Sequence, residues 1–200
     1  MEDATLTAIA TSPWLVPALF ALVVGDAFLV VLPSESAVVA LAALHATTGA
    51  PALWLVLLTA SAGAVCGDAL CYGIGRRVGL DRWAWQRDGR IGRALRRVEG
   101  AVRTRTAVLV FTARYVPFAR IAVNLAAGAG RVPLGRFLPL SLGAGIAWAG
   151  VNAGVGALVG GAFGDRPLVG VLVSVPVAIT VGLVVDRVIA AVESRRRARG

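Results

Sequence analysis

This chain predicts an all-α, polytopic integral membrane protein with two re-entrant helical hairpins arranged as inverted repeats. Composition is the first observation: 58% of the 200 residues are hydrophobic and the mean hydropathy is +0.78, above what a soluble domain of this length carries. Charge placement is the second. Twenty Arg against eleven acids leave a net charge of +9, yet ten of the arginines fall between Arg76 and Arg105 and four more between Arg195 and Arg199. That is the distribution of cytoplasmic loops under the positive-inside rule, so the charge reports membrane topology and not nucleic-acid binding. The third observation is a pair of arginines, Arg114 and Arg120, set within the apolar run 107–130 on either side of Pro117.

Apolar stretches cover residues 13–32, 37–44, 52–75, 107–130, 137–163 and 168–185. A spanning helix needs about 20 residues, so the second stretch is too short to cross alone. The start, Met1-Glu2-Asp3, is acidic and no small-residue cleavage signature follows, so the first helix is expected to be retained rather than cleaved as a signal peptide. In all, four or more spanning helices are expected in a single domain of residues 1–200, with a basic cytoplasmic tail at about 187–200. Residues 81–105 place Ile91, Leu95, Val98 and Val102 on one helical stripe among arginines, with Trp83 and Trp85 nearby. This segment reads either as a helix lying on the cytoplasmic leaflet, able to collect anionic headgroups, or as a solvated basic loop.

Parity decides the middle of the chain. With residues 76–105 and the C-terminus both cytoplasmic, and with 137–163 and 168–185 each crossing once, residues 107–130 must enter and leave by the same face. The proline supports this, because Pro117 lacks the amide that would bond Ala113 and disfavours a helical residue before it. On an unbroken helix, six positions at about 100° each would hold the two arginines about 120° apart, and one would face lipid. A hairpin broken at Pro117 lets both point inward, into a polar cavity that irregular backbone at depth requires.

The first half repeats the pattern with opposite charge. Asp26 and Glu35 lie nine residues apart, about 180° on a continuous helix, and Pro33 interrupts the path between them. Broken there, the segment lets both acids face one cavity. Two interrupted apolar segments in corresponding halves point to a transporter with a midplane site. An arginine at mid-membrane depth costs roughly 2.5–3.5 kcal/mol on insertion scales, so an intramembrane pair marks a functional site that meets something anionic.

Further along, Asp68 precedes Arg76 by two helical turns with Tyr72 on the same face between them, which makes these three a secondary cavity or interface group. Asp68 can line the cavity or pair with Arg76, and Arg76 and Arg77 also suit snorkelling anchors. The pairs Gly63/Gly67, Gly75/Gly79, Gly150/Gly154 and Gly156/Gly160 have the spacing of close helix packing.

The acidic Asp26 to Glu35 segment, Gly63-x3-Gly67-Asp68-x3-Tyr72-x2-Gly75-Arg76-x2-Gly79, Phe111-x2-Arg114-Tyr115-x-Pro117-x2-Arg120, Ala127-Gly128 and Trp148 together resemble the DedA family. This is the bacterial branch of the VTT, or SNARE-associated Golgi protein, membrane proteins, and the resemblance covers about residues 21–152. It implies a multi-pass protein of the bacterial cell membrane that moves lipids. The expected activity is a flippase for undecaprenyl phosphate linked to the proton motive force; alternatives are a phospholipid flippase or scramblase, and a membrane scaffold without transport. It further implies that the positions matching Asp26, Glu35, Arg114 and Arg120 are essential. Arg114 and Arg120 would bind the lipid phosphate bidentately, and Asp26 and Glu35 would couple protons. Arg114 paired statically with either acid is the structural alternative.

Other chemistries find little support. Gly73-x-Gly75 has Val at 78 and follows no strand, so it is no dinucleotide fingerprint, and Cys66 and Cys71 lack a second ligand pair for metal or redox work. His45 is the sole histidine, too few for a histidine-dependent lipid phosphatase. The expectation is therefore no enzyme, no cofactor and no metal. The expected partners are lipid phosphate, protons, the bilayer and a second copy of the chain in a homo-oligomer.

Overall fold

The computed structural model describes residues 8, 10–29, 32–79, 106–114, 118–162 and 173. The basic segment 81–105, Pro117, Asp165, nearly all of the apolar stretch 168–185 and the tail 187–200 lie outside the described residues. Six helices and no strands make up the described chain: α1 (Leu15–Asp26), α2 (Ser34–Thr48), α3 (Leu53–Val78), α4 (residues 106–113), α5 (Ala119–Ala129) and α6 (Leu134–Ala162). Two of them, α3 with 26 residues and α6 with 29, are long and apolar enough to cross a membrane. At 1.5 Å per residue each exceeds the roughly 30 Å of a hydrocarbon core.

The helix of the first apolar stretch ends at Asp26, ahead of the break expected at Pro33. Among the described residues of this stretch the 12 of α1 are helical, and the chain then tightens into turns in which Phe28 N–H donates to Gly25 at 2.9 Å and Leu32 N–H to Leu29 at 3.0 Å. Pro33 stands immediately before α2, whose first turn carries Glu35, a favourable charge at a helix N-terminus. The other apolar run is interrupted as well. Helix α4 stops before Arg114, and α5 begins after Phe118, which adopts a left-handed conformation with φ 63° and is exposed. A phenylalanine is rarely held at such an angle, so this helix start is backbone-strained. Glycines in the left-handed region close α2 and α3. Gly49 (φ 77°) returns its N–H to His45 at 2.8 Å after α2, and Gly79 (φ 69°) returns its own to Gly75 at 2.9 Å after α3.

The chain divides into two compact units. One takes its described residues from 35–56 and 150–162, together with the short segment before residue 16. Within it Gly156 and Gly160 of α6 lie against the Val39 and Ala43 carbonyls of α2, so close that a side chain at either position would overlap backbone. The other unit, from 16–34 and 57–149, holds the core of Tyr72, Val110, Val123, Val132, Phe137 and their small neighbours. Here α1 packs on α3 where Gly67 meets Ala27. In the same unit α3 packs on α5 through reciprocal glycines, Gly75 under the Leu125 carbonyl and Gly128 under that of Tyr72. Two of the four expected glycine pairs pack otherwise. Gly79 is a helix terminator, and Gly150 and Gly154 are exposed with open space around them.

Helix α6 is built inside out relative to a soluble helix. Leu134, Leu138, Leu142 and Ile146 recur every four residues on its exposed side, while Phe137, Ser141, Ala144 and Trp148 are buried. An apolar exterior around a partly polar interior is the arrangement a lipid solvent demands.

Candidate functional site

Four helices of the larger unit deliver one charged group each, or nearly so, to a single polar centre. Asp26 closes α1, Asp68 stands mid-way along α3, Arg114 follows α4 and Arg120 is the second residue of α5. The break between α4 and α5 lets Arg114 and Arg120 approach the same carboxylate. Arg114 Nη2 donates to Asp68 Oδ2 at 2.7 Å, and Arg120 Nε lies 3.9 Å from Asp68 Oδ1. Arg120 Nη2 donates to Asp26 Oδ2 at 3.2 Å. Two arginines and two aspartates leave the centre neutral, which is the condition for keeping such groups in an apolar shell.

Asp68 is the hub, a larger part than the secondary one expected of it. Besides Arg114 it accepts from Asn124 Nδ2 at 2.8 Å on Oδ1 and from Ser141 Oγ at 2.7 Å on Oδ2. Three elements thus converge on one carboxylate, and Asp68 pairs with Arg114, not with Arg76. The geometric reason lies in α3: Asp68 points to the buried side, whereas Arg76 is at the helix end and exposed. Arg76 Nη1 instead donates to the Tyr72 hydroxyl at 2.9 Å, which itself donates to the Val132 carbonyl. Tyr72 is stacked on Phe137 with ring centroids 4.7 Å apart, so it ties the end of α3 to the α5–α6 turn.

The two ion pairs are unequal. Side-chain exposure is 1% for Arg114 and 3% for Asp68, against 14% for each of Arg120 and Asp26. The Arg114 guanidinium also lies 5.8 Å from the ring centroid of Trp148, within cation–π range. Glu35 belongs to the other unit, where it is an exposed residue in the first turn of α2. Asn124 and Ser141 escaped the sequence reading. The signal was there in kind, since each is a polar side chain in an apolar helix, but a lone Asn or Ser is too common in such helices to stand out. Among the described residues no group of three or more His, Cys, Asp or Glu is placed to hold a metal ion.

An apolar helical shell closed around a neutral cluster of arginines and aspartates defines an integral membrane protein with a polar interior site. The VTT domain family model matches residues 32–158, more than half of the chain, and the protein belongs to that family, the domain of the DedA membrane proteins. The matched span includes Glu35, Asp68, Arg114, Arg120, Asn124 and Ser141, and Asp26 precedes it. No curated protein and no solved structure matches the chain.

Proposed function

We propose that this DedA-family protein moves a lipid phosphate across the membrane, with a polyprenyl phosphate such as undecaprenyl phosphate as substrate and the proton motive force as the drive. The observation that carries the reading is the Arg114, Arg120, Asp26, Asp68 cluster within an apolar shell. Guanidinium forks bind phosphate oxygens bidentately, and a carboxylate that neutralises them in the empty site must yield when a competing anion arrives. Protonation of the displaced acid, Asp26, would couple lipid and proton, and Glu35 is a second candidate for the proton-responsive group. Moving an anionic headgroup toward a negative interior costs about 2.3 kcal/mol per charge per 100 mV, which a co-moving proton offsets. In this reading the interrupted segments around Pro33 and Pro117 are re-entrant hairpins related as inverted repeats. Residues 76–105 and the C-terminus face the cytoplasm of a bacterial cell, and the protein transfers its lipid without chemical change.

Purified protein in liposomes, loaded in parallel with a polyprenyl phosphate or with labelled phosphatidylglycerol, tests the reading. Faster movement of the polyprenyl phosphate under an imposed pH gradient is expected. Equal movement of both lipids without any gradient response would replace it with scrambling, and no movement of either would leave a membrane scaffold.

A further inference from the structure

The two arginines have different jobs, and the difference is set by residues that bind neither lipid nor proton. We propose that Arg120 alone is the exchangeable cation, and that Asn124 and Ser141 are positioning residues that commit Asp68 to Arg114 and keep it off Arg120. The proposal rests on the phosphate reading above only for what Arg120 exchanges with.

Asp68 has two oxygens and three close donors. Oδ2 is shared by Arg114 Nη2 and Ser141 Oγ, both at 2.7 Å, and Oδ1 is taken by Asn124 Nδ2 at 2.8 Å. The amide of Asn124 therefore occupies the oxygen that Arg120 Nε approaches only to 3.9 Å. Asn124 lies one turn after Arg120 on α5, so the same helix that carries the arginine also carries the group that competes with it for Oδ1. A neutral donor performs this task without adding charge, which a second guanidinium bond to Asp68 could not do.

Arg120 is left with one hydrogen bond among the described residues, the 3.2 Å contact of Nη2 with Asp26. A guanidinium carries five N–H donors in a planar fork, so donors beyond that bond can turn to an incoming oxyanion. Arg114 is more enclosed, is charge-paired at the shorter distance of 2.7 Å and lies 5.8 Å from the Trp148 ring centroid. A phosphate oxygen that displaced Asp26 from Arg120 would find the Arg114–Asp68 pair intact behind it, as a fixed wall of the site. Loss of Asn124 or Ser141 would loosen Asp68, let Arg120 close on it, and trap the cation the substrate needs.

Arginine-directed modification reads this without any ligand. Full-length protein in lipid nanodiscs is treated with phenylglyoxal and the modified arginines are mapped by peptide mass spectrometry, with the exposed Arg131 and Arg136 as internal standards. In the wild type Arg120 should react and Arg114 should not. In Asn124→Ala and in Ser141→Ala the Arg120 rate should fall, by about tenfold for one charge-assisted hydrogen bond gained, while Ser141→Thr, which keeps the hydroxyl, should stay near wild type. Both alanine variants remove atoms and cannot overpack, and the standards report on intact fold in each. Equal reactivity of Arg114 and Arg120 in the wild type overturns the division of labour. An unchanged Arg120 rate in both alanine variants overturns the positioning role. The ligand arm adds phosphatidic acid to the nanodiscs or inorganic phosphate to the buffer. Protection of Arg120 by phosphatidic acid alone identifies a lipid headgroup, protection by both identifies phosphate as such, and protection of Arg114 in preference overturns the proposal. Protection by neither refutes the phosphate reading, while the contrast among variants still decides the roles of Asn124 and Ser141.

Discussion

At the scale of single residues, the centre separates what holds the protein together from what can exchange. Asp68 and Arg114 are buried and paired with each other at 2.7 Å. Removing one partner of such a pair costs far more than the pair contributes, because the remaining charge is stranded in a poor solvent. Asp68→Asn should therefore destabilise the protein by about 3–5 kcal/mol, seen as a lower melting temperature in detergent and reduced expression. Arg120→Lys should behave in the opposite way. Its partner Asp26 is more accessible and an ammonium can still neutralise it, so the fold should persist. A point charge cannot reproduce a planar fork on phosphate, so lipid-phosphate binding should weaken about tenfold or more in the same preparation. Normal binding by the lysine variant would remove the bidentate contact from the mechanism.

At the scale of elements, the packing depends on where backbones come close. Gly128 and Gly75 bring α5 onto α3 with no room for a methyl group, and the neighbours are main-chain atoms that cannot rotate away. Gly128→Ala should cost about 1–3 kcal/mol through overpacking and should displace α5, carrying Arg120 and Asn124 with it. Gly154→Ala, where no atom lies within 4 Å, should instead gain up to about 1 kcal/mol from helix propensity. Thermal melts of the two variants side by side check the contrast. The start of α5 gives a further test. Phe118 is 70% exposed and held at φ 63°, so Phe118→Gly removes strain without opening a cavity and should raise stability by about 1 kcal/mol.

For the whole molecule, function depends on which face each break opens to. Under the proposed topology residues 131–136 should lie on the cytoplasmic side, and Pro133 is exposed and can report it. A single cysteine at position 133, in a chain freed of Cys66 and Cys71, should react with a membrane-impermeant maleimide only from the cytoplasmic face. Reaction from outside alone would make residues 107–130 a true crossing. Energy coupling is also a property of the whole molecule. Glu35→Gln keeps shape and removes titration, so in proteoliposomes it should blunt the response of lipid movement to a pH gradient while headgroup binding survives. A variant that responds as fully as wild type would shift the coupling role to Asp26, which lies against Arg120.

The sequence by itself determined the solvent of this protein, the helical class, the two interruptions and the family, because these follow from composition, proline chemistry and motifs that are local in the chain. The arginines at 114 and 120 were legible for the same reason: a charge inside an apolar run is conspicuous wherever it ends up. Local patterns also misled. The break in the first half was expected at Pro33, yet the helix stops at Asp26, where the backbone turns. Which carboxylate meets which arginine was a tertiary matter. Asp68 and Arg114 are 46 residues apart and Asp68 and Ser141 are 73 apart, so no periodicity relates them. Only the docking of α6 beside α3 and α5, the latter two joined through glycines that admit backbone against backbone, brings one buried carboxylate within reach of Arg114, Asn124 and Ser141. That convergence, more than any one residue type, distinguishes the fixed arginine from the open one.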